Sequence, residues 1–116
     1  MKLLYEHQDK NYSYHVGVEI DPKGKLIISD WALGDVIKKT HIDSDIEHFI
    51  KIKKSDIHAF LCGCCIYMDK KNPSRNLSDD QIISLLSSLF QGNKSTFQEI
   101  KEILTKNNIP FNFQVW

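Results

Sequence analysis

The chain has 116 residues, 41% apolar and 26% charged, the make-up of one globular domain able to bury a core without metals or disulfides. Lys+Arg and Asp+Glu both number 15, so the formal net charge is zero, which argues against a general nucleic-acid binder with its basic excess. No apolar run approaches bilayer length, Leu3-Leu4-Tyr5 is too short for a signal peptide, and the odd count of 3 cysteines suits no disulfide scaffold, so a reduced, cytoplasmic setting is expected.

Lys2 to His7 fits an edge strand. Tyr12, Tyr14, Val16, Val18 and Ile20 then alternate with Ser13, His15, Gly17 and Glu19, the pattern of a half-buried strand. Asp21-Pro22-Lys23-Gly24 reads as a turn, with Pro presetting φ and Gly supplying positive φ. Leu26 to Trp31 is the returning strand. Leu33-Gly34-Asp35 breaks the alternation, and Val36 to Thr40 fits either a short helix or an extended crossing. Alternation resumes with Ile46, His48, Ile50 and Ile52 on one face and Glu47, Phe49, Lys51 and Lys53 on the other, a third strand.

Ser55 suits the N-cap of a first helix, with Asp56 in its first turn. Polar Met68 to Asn76, holding Asn72-Pro73-Ser74, is a loop. Ser78 and Gln81 form a capping box for a second helix, whose apolar stripe is Ile82, Leu85, Leu86, Leu89 and Phe90, ended by Gly92. Ser95 and Gln98 repeat the box ahead of Phe97, Ile100, Ile103 and Leu104, and Lys106 and Asn107 suit the end of this third helix. Pro110 blocks further helix, and Phe111, Phe113 and Val115 alternate as a last strand that must return to the sheet. The order predicts an α+β fold over residues 1–116: an antiparallel sheet of four to five strands with about three helices packed on one face.

All three cysteines lie in "LCGCCIYM", residues 61–68. On a helical wheel of about 100° per residue, Cys64 joins Ile57, Phe60, Leu61 and Met68 on one apolar face, where cysteine acts as a small hydrophobe. His58, Cys62 and Cys65 stack on the flank and offer three zinc ligands. A strong zinc pattern needs a second Cys or His pair at matching spacing, and His41 and His48 do not form one. A redox CxxC belongs at a helix N-terminus, whereas this one sits in the second and third turns. Helix packing is therefore the leading reading of the cysteines.

"HIDSDIEHF", residues 41–49, places Asp43, Asp45 and Glu47 on one face of an extended segment. Three readings follow: a solvated strand entry, a carboxylate site for catalysis or a hard metal, and an acidic surface for a basic partner. No EF-hand spacing, phosphate-cradling glycine loop or GxSxG is present, so an enzyme using these carboxylates is the least supported class. Lys53, Lys54, Lys70, Lys71 and Arg75 lack interleaved aromatic residues and read as a solvated face. Trp31 and Trp116 are candidates either to anchor a partner or to cover a neighbouring loop.

Three stretches carry a resemblance: Leu33-Gly34; Ser44-Asp45-Ile46-Glu47-His48-Phe49; and Ile109-Pro110-Phe111-Asn112-Phe113-Gln114-Val115-Trp116. The chain resembles a group of small bacterial proteins of poorly defined function that share a hairpin, a Leu-Gly turn, a Ser-Asp-x-Glu-x-aromatic strand, a capped helix and an Ile-Pro-aromatic ending. The resemblance covers residues 12–61 and 96–116 through short motifs. That group resembles the immunity proteins of bacterial toxin systems in size, fold and lack of catalytic motif, a likeness by analogy. It would carry plain aliphatics where this chain has Cys62, Cys64 and Cys65, so a family-wide metal role does not follow. The expectation is a cytoplasmic, non-catalytic binding protein without cofactor, an immunity-type inhibitor that occludes a toxin. Its partner surface is Asp43, Asp45, Glu47 and Trp31. The alternative is a zinc module using His58, Cys62 and Cys65.

Overall fold

The computed structural model describes residues 1–10, 12–34 and 45–115, with the side chains of Asp45 and Ile46 outside that description. Val36 to Thr40, His41, Asp43 and Trp116 therefore lie outside the described residues. The elements run β1 (Lys2–Gln8), β2 (Tyr12–Ile20), β3 (Leu26–Gly34), β4 (Asp45–Ile52), α1 (Lys54–Tyr67), α2 (Asp79–Phe90), α3 (Thr96–Lys106) and β5 (Asn112–Val115). The five strands form one antiparallel sheet in the order β1-β2-β3-β4-β5. The expected α+β architecture is the observed one, with the three described helices on one face of the sheet.

Alternation explains the division of faces. Val16, Val18, Leu26, Ile28, Ile50 and Ile52 are fully buried beneath the helices, joined by Leu4 from β1. From the helices come Phe60, Leu61 and Cys64 of α1, Leu86 and Phe90 of α2, and Ile100 and Leu104 of α3. Burying one such side chain contributes roughly 1.5–3 kcal/mol, so the shared apolar face holds the two layers together. Gly63 lets α1 approach α3: an added Cβ would fall 3.1 Å from Ile103 Cγ2 and 3.1 Å from Asn107 Nδ2.

The Asp21 turn forms as expected. Gly24 has φ +85° and donates its N–H to the Asp21 carbonyl at 2.9 Å. The Asp21 side chain accepts the N–H groups of Lys23 and Lys25, both at 2.9 Å, locking the β2–β3 hairpin. That hairpin runs three residues further than the sequence break at Leu33-Gly34 implied, because Ala32, Leu33 and Gly34 continue to pair with Tyr14, Ser13 and Tyr12.

Two caps differ from expectation. α1 starts at Lys54 with Lys53 at the cap position and no side-chain cap bond, so Ser55 lies inside the helix. β4 ends at Ile52, and a one-residue connection leaves no room for a serine cap. Ser95 holds the cap position of α3 without a side-chain cap bond. Asn93 Oδ1 instead accepts the Ser95 N–H at 2.9 Å, and Thr96 Oγ1 donates to the Asn93 carbonyl at 2.6 Å. At α2 the full Ser78–Gln81 capping box is present. No described helix is long and apolar enough to cross a membrane.

Candidate functional site

No described helix packs on the second face of the sheet. Register and alternation place Glu6, His15, Glu19, Ile27, Ser29, Trp31, Leu33, Glu47, Phe49, Lys51 and Gln114 along it. Glu47 stands directly opposite Trp31 on the neighbouring strand, and His15 stands opposite Trp31 on its other side. The His15 and Trp31 rings are stacked, with centroids 5.0 Å apart and planes 12° from parallel. His15 Nε2 also lies 3.5 Å from Glu6 Oε1. The result is a row of Glu6, His15, Trp31 and Glu47 across four strands. Trp31 is half-buried rather than free-standing, because the imidazole covers one face of its indole.

The next rows continue this surface. Gly17, Ser29, Phe49 and Gln114 are neighbours across β2 to β5, and Glu19, Ile27, Lys51 and Asn112 follow. Glu19, Ile27, Glu47, Phe49, Lys51 and Gln114 line an open groove of about 370 Å³. Among the described side chains three glutamates meet one lysine here, so the face is acidic with an aromatic and aliphatic floor. Met1 lies over Gly17: an added Cβ would fall 2.5 Å from Met1 Sδ, the far end of a flexible, exposed side chain that would have to move aside. The buried Ser29 Oγ and His15 Nδ1 have no hydrogen-bond partner among the described residues. Both belong to this face.

Of the expected partner surface, Trp31 and Glu47 are brought together. Asp43 lies outside the described residues. Asp45 is paired through its backbone with Leu33 at the start of β4.

The cysteine flank divides differently. Cys62 Sγ lies 3.7 Å from His58 Nδ1 and 3.8 Å from His58 Nε2, so these two do meet on one helical turn. His58 Nε2 also approaches the Pro73 carbonyl at 3.4 Å. Cys65 is buried, its thiol pushed up by burial and by the neighbouring Cys62. Cys64 lies in the core as expected, and burial raises its thiol far above the ordinary range. Among the described residues no three His, Cys, Asp or Glu side chains are grouped to hold a metal ion. Lys54, His58 and Arg75 instead rim a depression of about 400 Å³ between α1 and the start of α2.

One constellation escaped the sequence reading. Beneath the helices Asp30 accepts the Tyr14 hydroxyl at 2.8 Å on Oδ2 and meets His48 Nδ1 at 2.7 Å on Oδ1. A carboxylate only accepts, so the His48 proton is assigned to Nδ1. His48 stacks on Phe113 at 5.9 Å and tilts against Phe97 at 6.0 Å. Burial first, and the bond to Asp30 second, hold the Tyr14 phenol well above its ordinary value of 10.0. The signal was visible: Asp30 follows Leu26 and Ile28 on the core parity of β3, and His48 precedes Ile50 and Ile52 on that of β4. The arrangement fixes an oriented imidazole.

No protein-family model matches the chain, and neither a curated protein nor a solved structure matches it.

Proposed function

We propose that this chain is a non-catalytic binding protein that engages a basic protein partner through the second face of its sheet, on which no described helix packs. The observation that carries this reading is the Trp31–Glu47 pair, directly opposed on β3 and β4 where no described helix packs. A tryptophan braced by a stacked imidazole is a rigid anchor that loses little entropy on binding. Glu6, Glu19 and Glu47 around it favour a cationic partner and speed its approach. Asp43 and Asp45 are assigned to partner binding in this reading.

The resemblance to immunity proteins narrows the proposal to a cytoplasmic inhibitor that blocks a bacterial toxin by occupying its surface. The test is co-purification from the native host, with the adjacent gene product assayed as a toxin. Wild-type protein is expected to capture the partner and neutralise it, while Trp31→Ala and Glu47→Lys weaken capture by at least about tenfold. Both variants should retain the wild-type melting transition. Undiminished capture by both variants, or no protein partner and no neighbouring toxin, sinks the reading.

A further inference from the structure

The two edges of the sheet differ in how they meet solvent. β1 is guarded in three ways that oppose pairing with another chain. Its pairing slips between Leu3 and Tyr5, it carries Lys2 and Glu6, and its Leu4 carbonyl accepts the Gly92 N–H at 2.8 Å. β5 has none of these. Asn112-Phe113-Gln114-Val115 holds no charge and no proline, and all four residues are exposed. Phe113 is 41% exposed and Val115 61%. Among the described residues its backbone pairs only with β4.

We propose that β5 pairs antiparallel with β5 of a second copy, about a two-fold axis at Gln114, joining two sheets into one of ten strands. Residues opposed in an antiparallel pair share a face, so this register sets Gln114 against its own copy and each Phe113 against the second copy's Val115. The strand is thus complementary to itself: amide meets amide on one face, and aromatic meets β-branched side chain on the other. Phe113 is already held by His48 at 5.9 Å and lies under Lys101 Nζ at 4.1 Å, so the smaller valine suits the space at its edge better than a second phenylalanine. Charge does not oppose self-association, since the strand is uncharged and the formal net charge of the chain is zero. Pairing would also cover Val115, one of the most exposed apolar side chains.

The experiment is sedimentation equilibrium of the full chain over a concentration series, with Gln114→Glu, Gln114→Lys and an equal mixture of the two. Gln114 is exposed, so both variants should fold, which thermal melting checks. Wild type is expected to associate from 13.5 kDa to twice that mass. Each variant alone places like charges directly opposite and should weaken the dimer at least about fivefold. The mixture places Glu against Lys and should restore it. A wild type that stays monomeric overturns the proposal. So does a dimer insensitive to both variants, or one lost in each and not regained on mixing. Capture of a partner by a wild type that stays monomeric would leave the binding-face reading standing while this one falls.

Discussion

Tyr14, Asp30 and His48 show how a carboxylate is tolerated under a layer of helices. Asp30 is 8% exposed, and burying a charge costs free energy unless its oxygens are bonded. Both are, one by a phenol and one by an imidazole. The price of this arrangement appears at alkaline pH. In the unfolded chain a tyrosine ionises near 10.0, whereas folded Tyr14 holds its proton to higher pH. Above that value the unfolded state binds fewer protons than the native state, so stability falls as pH rises. Below it the contribution is fully present. Tyr14→Phe removes this term together with one hydrogen bond, costing about 1 kcal/mol at neutral pH. Its stability should then decline less steeply than wild type in urea titrations taken above pH 10. Cys64 adds a decline of the same sign that both proteins share, so the difference between them isolates Tyr14. Parallel curves would show that the hydroxyl is not protected.

At the scale of elements the three helix starts form a natural experiment. Each described helix has a serine at or beside its start that fitted a cap, yet only Ser78 exchanges hydrogen bonds with its capping-box partner. Ser78→Ala should therefore cost about 1 kcal/mol, while Ser55→Ala and Ser95→Ala stay within about 0.5 kcal/mol. Chemical denaturation of the three variants measures this, and equal losses would refute the assignment of caps. The reason sequence alone put Ser55 at the wrong position, and gave Ser95 a cap bond that it does not make, is physical. A serine before an apolar run marks a helix start to within a residue or two, and the path of the neighbouring chain decides the rest. At α1 the chain leaves β4 and turns within one residue; at α3 Asn93 takes the acceptor role. The strands were more legible, since period two assigns each side chain to a face. That alternation set Glu47 on the face opposite Ile50 and put Val16 on the apolar face of its strand. Juxtaposition was the part it withheld. Trp31 meets Glu47, and Asp30 meets His48, only through the β3–β4 register, which the connection between those strands does not disclose in sequence.

At the scale of the whole molecule, a sheet covered on one face has a graded stability across its width. β3 is flanked by β2 and β4 along its length and supplies Leu26 and Ile28 to the core. β5 pairs four residues with β4 alone and buries none of them. Opening β5 exposes little new apolar surface, so it should separate locally without global unfolding. Amide exchange in dilute Gln114→Glu protein, where self-pairing is weakened, is expected to be at least about a hundredfold faster in β5 than in β3. In wild type, raising the protein concentration should slow β5 and leave β3 unchanged, because association protects only the strand it pairs. The rows through His15, Trp31 and Glu47, on which no described helix packs, lie on the stable side of this gradient. A binding face there keeps its geometry while the edge opens and closes. Equal protection of β5 and β3 in the dilute variant would instead make β5 part of the cooperative core, and the edge would then be as rigid as the face.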